Sequence, residues 1–533
     1  MMWWTDRLNP TQRRAIVIAL ACEVALILAY EVFYVASAQP SGSTRASGQI
    51  GPMTCEDAAL APNPIVVENS CPGTSTWQFD LPLGDQQMIQ GFTAPASVNA
   101  GETVKLYVST TAPAYQFRVF RMGWYQGLGG RLMHVSPWLT GIVQPPPLID
   151  PSTRTVSAGD WHDPTTMAVP TTWVSGVYVV KLVSSTGYMR YTFFVVRNDA
   201  SHAAMLFQSS VLTDQAYNTW GGRSLYQDAS GSYTQRSYAV SFDRPYVDGA
   251  GLSNFPKYEY NLLRWVEEQG YNVTYSTDID TDQHPSLLFN HRLFIAAGHD
   301  EYWTAAMRQN VISARDAGVS LAFFGADDIY WHVRLQPSSL GPDRVVVCYK
   351  DASLDPVAST NPSAATVRWR DPPLNAPEDT VLGEMFSQMT TRAAALVLTN
   401  DAAPFFHGTA LHAGSAFPGL VAQQDLTSEI DSERADSGVP ATLKTLASSP
   451  VQVNSGDAED NSGPLVTTTA MATIYTAPSG AHVFDAGTYW WGWGLDNFRF
   501  GQSAHPGSLR SADFERFTVN LLSYLKDWSP SKA

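Results

Sequence analysis

The chain has 533 residues and a mass of 58.2 kDa, beyond the size at which a single hydrophobic core stops growing, so more than one domain is expected. Hydrophobic residues make up 44% and charged residues 15%, enough apolar material for a buried core, which excludes a wholly disordered or collagen-like chain. Its 33 basic and 49 acidic residues give a formal charge of −16, and with no local basic patch this excludes nucleic acid as a partner.

Arg7, Arg13 and Arg14 precede an apolar run from Ala15 to Tyr30 interrupted by Glu23, the layout of a signal peptide or signal-anchor helix over residues 1–38. Ala36, Ser37 and Ala38 fit a cleavage site, whereas extending the run to Val35 makes it long enough to span a bilayer with Glu23 and Glu31 inside it. The protein is therefore expected to be exported, secreted if the segment is cut and anchored in the cell membrane if it is kept. Residues 39–54, rich in Gly, Ser, Thr and Pro, read as a flexible linker. Cys55 and Cys71 follow in a polar stretch, and export permits a disulfide between them, with two buried thiols as the alternative. Cys348 is expected to stay unpaired and buried, and the absence of any CxxC pair excludes a zinc ribbon.

Residues 55–200 carry short alternating runs separated by turn residues, at Val104–Val108, Gln116–Arg121, Gly176–Leu182 and Tyr191–Val196. That spacing predicts an immunoglobulin-like β-sandwich. Over residues 201–533 the pattern changes to alternating strands and helices. Ala204–Phe207 reads as a strand; Tyr258, Leu262, Trp265 and Val266 form the apolar stripe of a helix closed by Gly270. Tyr271–Tyr275 and Leu293–Ala297 are short and apolar, Thr304 can cap a helix carrying Met307, Val311 and Ala314, and Val319–Phe324 resumes as a buried strand. This order predicts an α/β catalytic domain with a largely parallel sheet. The polar segments Gln423–Ser437 and Asn454–Gly463 read as loops, and Phe514–Leu525 as a closing helix.

His299, Asp300 and Glu301 directly follow Gly298 at the C-terminal end of an apolar strand, the edge at which open α/β sheets bind ligands. If the chain stays extended there, His299 and Glu301 project to one side and Asp300 to the other. The alternative is a loop whose carboxylates favour a helix N-terminus. No GxSxG elbow, HExxH helix or GxxxxGK[ST] loop occurs, so common serine hydrolases, zincins and P-loop enzymes lose support. With 23 Tyr and 16 Trp, several beside carboxylates, a hard trivalent metal held by phenolate and carboxylate oxygens is a chemistry the residues allow.

In several places the sequence resembles the large (beta) subunit of N,N-dimethylformamidase and relatives sharing its C-terminal domain. The resemblance is carried by Arg121-Met122-Gly123-Trp124-Tyr125 with Gly129, Gly130 and Arg131; by Ala216-Tyr217-Asn218-Thr219-Trp220-Gly221-Gly222 with Ser224 and Tyr226; by Gly298-His299-Asp300-Glu301-Tyr302-Trp303; and by Gly487-Thr488 with Trp493-Gly494-Leu495-Asp496. It implies an amidohydrolase cleaving the C–N bond of a small, formamide-like amide with a metal-activated water, at a mononuclear Fe(III) held by two tyrosines and a glutamate. Carried onto this chain, the ligands would be Glu301, Tyr217 and Tyr258, with Tyr260 as the alternative to Tyr258. His299 and Glu429 would be the catalytic residues, one moving a proton and the other orienting water. For Tyr217 and Tyr258 the plain alternative is core packing, and for Glu429 a solvated acidic loop.

The resemblance also implies a separate small subunit, to which no segment of this chain is assignable; homo-oligomerisation is left open. Two other readings compete. One is a non-catalytic cell-surface ligand-binding protein using exposed Trp490, Trp491 and Trp493 as a stacking shelf. The other fills the same pocket with zinc through His299 and Glu301.

Overall fold

The computed structural model describes residues 54–433, 438–456, 462–500 and 509–527, which fall in one compact unit, Met53–Ala533. The expected membrane helix and nearly all of the expected linker lie outside the described residues. Among the described residues no helix is long and apolar enough to cross a membrane.

The β-sandwich forms as its alternating pattern requires. A three-stranded sheet of Ile89–Ala94, Thr103–Thr110 and Thr165–Ala168 faces a larger sheet in the order Ser97–Asn99, Met189–Arg197, Gly176–Ser184, Ala114–Met122 and Gly130–Val135. Val104, Leu106, Val108, Phe117, Val119, Val180 and Phe194 fill the space between them. The opposite face of the larger sheet is apolar too: Phe120, Val177, Val179, Phe193 and Val195 join the core of the following region. Every residue of Gly176–Ser184 is consequently buried, Lys181 included, so the alternation expected there does not separate a wet face from a dry one.

The second region is built on a seven-stranded sheet in the order Val273–Thr277, Met205–Ser209, Leu293–Gly298, Ser320–Gly325, His482–Asp485, Leu465–Thr476 and Lys444–Asn454. Pairing is parallel from Val273–Thr277 as far as His482–Asp485 and antiparallel beyond it. A four-stranded sheet, Ala239–Ser241, Gly341–Val347, Trp331–Ser338 and Tyr302–Thr304, and two-stranded ribbons complete the region. The expectation of a largely parallel α/β catalytic domain is therefore corrected: the structure is β-rich, with 35% strand and 22% helix, and its sheets are mixed or antiparallel. The cause lies after Gly325, where the chain stops returning through helices and folds back in hairpins. In Lys444–Asn454, buried Val451 and Val453 alternate with exposed Pro450 and Gln452, the period of an antiparallel strand with one wet face.

Several local readings hold. The helix Tyr260–Glu268 ends before Gly270, whose φ of +72° suits a glycine. Thr304 caps Ala305–Asp316 by accepting from the Met307 amide at 3.1 Å, and Met307, Val311 and Ala314 are buried beneath it. Cys55 and Cys71 form a disulfide, and Cys348 is a buried free thiol. The predicted loop Gln423–Ser437 is corrected: Ser428–Ser432 is a strand paired with Met385–Thr390, and residues 434–437 lie outside the described residues.

Arg121 and Gly129 tie the two regions together, while Tyr125 and Arg131 brace the first region internally. Arg121 pairs with Glu267 at 2.8 Å, both side chains fully buried, and also donates to the Ser175 carbonyl. Tyr125 and Arg131 both donate to Glu68. Gly129 lends its carbonyl to the Tyr260 hydroxyl at 2.5 Å.

Candidate active site

The strand Leu293–Gly298 ends on a glycine for a steric reason. Gly298 has φ +85°, and a Cβ there would come within 2.8 Å of the Tyr258 Cβ. The close approach seats Tyr258 against the strand's C-terminal end, where His299 emerges. As the extended geometry predicted, Asp300 turns away to accept from Gln208 at 2.6 Å, while His299 and Glu301 meet at 3.4 Å.

His299 is the hub. Its Nδ1 lies 3.3 Å from the Ala326 carbonyl, which can only accept, so that nitrogen carries a proton. Its Nε2 lies 3.2 Å from the Tyr217 hydroxyl, 3.4 Å from Glu301 Oε2 and 3.3 Å from Glu429 Oε2. Tyr217 ends the helix Val211–Tyr217. Tyr258 sits not on the helix stripe proposed for it but in a single π-type turn, Phe255–Glu259, just ahead of that helix, a distortion often found at functional sites. Its ring meets the His299 imidazole edge-on at 6.2 Å and lies 4.5 Å from Tyr489, and its hydroxyl accepts from Lys257. Tyr260, the alternative phenol, is excluded from this group: it packs edge-on against Trp77 and donates to Gly129. The solvated-loop reading of Glu429 is likewise overturned. Its side chain is buried on Ser428–Ser432, and its amide donates to the Tyr489 hydroxyl at 2.9 Å.

Burial and charge set the protonation of these groups. Burial alone would depress the His299 imidazole, but the carboxylates of Glu429 and Glu301 outweigh it and push it up to about 10. Burial opposes ionisation of Glu301, yet His299 outweighs it and holds that carboxyl below the ordinary range. Glu429, buried and only partly relieved by His299, is pushed up to about 7. Burial, reinforced by Glu301 and Glu429, raises the Tyr217 phenol well above its usual value.

The donor chemistry fits a hard cation. Glu301 Oε2 and Glu429 Oε2 are buried and lack a well-formed hydrogen bond among the described residues, an expensive arrangement unless something else satisfies them. No set of three or more His, Cys, Asp or Glu side chains among the described residues is disposed to hold a metal ion. A cation here would have to draw on phenol oxygens, which disfavours the zinc reading and suits a trivalent ion.

The site opens into a cavity of about 770 Å³ lined by Tyr217, Glu301 and Glu429. Two further side chains shape it. Tyr226 donates to Glu301 Oε1, and the Lys350 ammonium lies 3.4 Å over the Tyr226 ring. Tyr226 belongs to the motif that begins at Ala216 but was expected only as a packing neighbour of Tyr217; Lys350, on a backbone with φ +61°, had no local signal. The stacking shelf is not formed: Trp490, Trp491 and Trp493 are 0%, 1% and 2% exposed, and Trp493 donates to the Lys257 carbonyl.

No curated protein matches the chain. Among solved structures, superoxide reductase (neelaredoxin) from Ignicoccus hospitalis is 10% identical over 21% of this chain and 78% of its own, with a TM-score of 0.13. A Paenibacillus sp. cycloisomaltooligosaccharide glucanotransferase complexed with cycloisomaltoheptaose is 8% identical over 75% of this chain and 70% of its own, with a TM-score of 0.17. Likenesses this slight carry no argument about fold or chemistry. Residues 116–505 match the family model described as N,N-dimethylformamidase beta subunit-like, C-terminal. The match takes in Tyr217, Tyr258, His299, Glu301 and Glu429, and the chain belongs to the N,N-dimethylformamidase beta subunit-like family.

Proposed function

We propose that the protein is an exported, metal-dependent amidohydrolase that cleaves the C–N bond of a formamide-like amide. The observation that carries this reading is the meeting of Tyr217, Glu301 and Glu429 at one nitrogen of His299, with Tyr258 packed against the same ring, at the wall of a cavity. Tyr217, Tyr258 and Glu301 would hold Fe(III), as the family resemblance implies. When bound, such an ion supplies Lewis acidity and makes hydroxide available from water near neutral pH.

The chain's own residues account for the remaining roles. Tyr226 fixes Glu301 through Oε1 and leaves Oε2 for a ligand. Glu429, with an oxygen lacking a hydrogen bond in the cavity wall, orients the attacking water and accepts its proton. His299 Nε2 delivers a proton to the amide nitrogen as it leaves, so that water and amide become a carboxylic acid and an amine. Buried Trp490 and Tyr489 close the side of the site behind Tyr258 against water. Export is supported by the Cys55–Cys71 disulfide, a bond that persists in oxidising compartments. The family takes its name from a subunit, so a companion chain belongs to the reading.

The test is amine release from N,N-dimethylformamide by the iron-loaded chain. Glu429→Ala should keep its iron and lose roughly 10²- to 10⁴-fold in kcat, the usual range for a positioned acid or base. Undiminished turnover in that variant would remove Glu429 from the chemistry.

A further inference from the structure

The cavity is far larger than the reaction needs. At about 30 Å³ per heavy atom, a formamide bearing two methyl groups fills roughly 150 Å³, whereas the cavity holds about 770 Å³, well within the range of sites that enclose drug-sized ligands. Its wall is aromatic and apolar. Tyr330, Trp331, Phe386 and Met389 line it alongside Glu301 and Glu429, and Tyr330 meets Phe386 edge-on at 5.2 Å. The wall is also built into the chemistry. Phe386 and Met389 lie on Met385–Thr390, the strand paired with Ser428–Ser432, and Met389 stands directly opposite Glu429 in the register. At the same wall Arg368 and Asp371 pair at 2.5 Å, so neither is a bare charge that would select an ionic ligand.

We propose that the substrate is a formamide whose nitrogen carries an aryl or comparably bulky apolar group, seated on the Phe386–Met389 wall while its carbonyl faces Glu429. The proposal rests on the amide-hydrolase reading above. A small dialkyl formamide would leave most of the cavity to water, whereas an aromatic ring moved from water onto its wall gains more than tenfold in affinity.

Calorimetric titration of the full-length, iron-loaded protein with N-benzylformamide and with N,N-dimethylformamide tests it. N-benzylformamide, whose benzyl group is the bulky apolar substituent, should bind at least about tenfold tighter. Phe386→Ala, which removes part of the wall, and Met389→Trp, which fills the space before it, should each collapse that preference toward unity. Equal affinities in the native protein, exclusion of N-benzylformamide, or a preference untouched by both variants would overturn the proposal. Formate release is scored in the same samples. If both amides are cleaved with equal kcat/KM, the substrate assignment alone falls; if N-benzylformamide binds as expected and neither amide is cleaved, the hydrolase reading falls and takes the assignment with it.

Discussion

His299 shows how one side chain acquires a function through its neighbours. The Ala326 carbonyl fixes one ring nitrogen, and the other faces a phenol and two carboxylates, Tyr217, Glu301 and Glu429. The role of Tyr226 is narrower: it holds one oxygen of Glu301, and the other, which lacks a well-formed hydrogen bond, is the one the proposed cation would use. Tyr226→Phe should therefore weaken iron affinity by about 10- to 100-fold, the usual effect of losing a ligand's supporting hydrogen bond. It should also lower the stability of the metal-free protein by about 1–3 kcal/mol, because a buried carboxylate oxygen loses its donor. Equilibrium dialysis against iron and urea unfolding would measure the two effects, and an unchanged iron affinity would deny Tyr226 this part. At this scale the sequence was informative where residues are neighbours in the chain: His299 and Glu301 project together because they are two apart. It was silent on Lys350, which reaches Tyr226 only through tertiary folding.

At the scale of elements, the site depends on where strands and turns stop. Leu293–Gly298 was legible because an uninterrupted apolar run ending in glycine marks a buried parallel strand. Ser428–Ser432 was not, because Glu429, Asp431 and Glu433 give it the composition of a solvated loop, and only pairing with Met385–Thr390 buries the first two. The π-type turn carrying Tyr258 was missed for a related reason: its residues fit the period of the helix that follows, and its close approach to Gly298 is a tertiary contact that no local pattern announces. Gly298→Ala should strain a backbone at φ +85° and drive a methyl into Tyr258. The expected loss is at least about 1–3 kcal/mol of stability, together with weaker iron retention because Tyr258 is displaced. Urea unfolding and metal analysis of that variant check both effects; a variant as stable as the parent would mean that the strand end tolerates a side chain.

On the scale of the whole molecule, the sandwich and the mixed-sheet region share a core, with Phe120, Val179 and Phe193 from one and Leu206, Trp265 and Val273 from the other. The sequence revealed two patterns of periodicity but not that they would fuse, because a strand buried on both faces looks the same whatever lies on its second face. Arg121 and Glu267 cross this junction without access to water, and breaking such a pair leaves a bare buried charge. Arg121→Met should cost about 3–5 kcal/mol and, because the junction is a common core, lower a single unfolding transition. Calorimetry showing an unchanged transition, or two separate ones, would mean that the regions are stable independently. Residues of the family motifs thus do two jobs. Arg121 and Gly129 fasten the regions together, while Tyr217, His299 and Glu301 gather at the candidate site.

The most direct test compares the two tyrosines the resemblance implies as ligands, Tyr217 and Tyr258, with Tyr260, the alternative to Tyr258. Iron content and visible phenolate-to-iron absorption should be measured for Tyr217→Phe, Tyr258→Phe and Tyr260→Phe in the full-length protein. The account predicts about one iron per chain in the parent, loss of the metal and its colour in the first two variants, and retention of both in Tyr260→Phe, whose hydroxyl is engaged by Gly129. Iron and colour kept in Tyr217→Phe and Tyr258→Phe, or lost only in Tyr260→Phe, would contradict it.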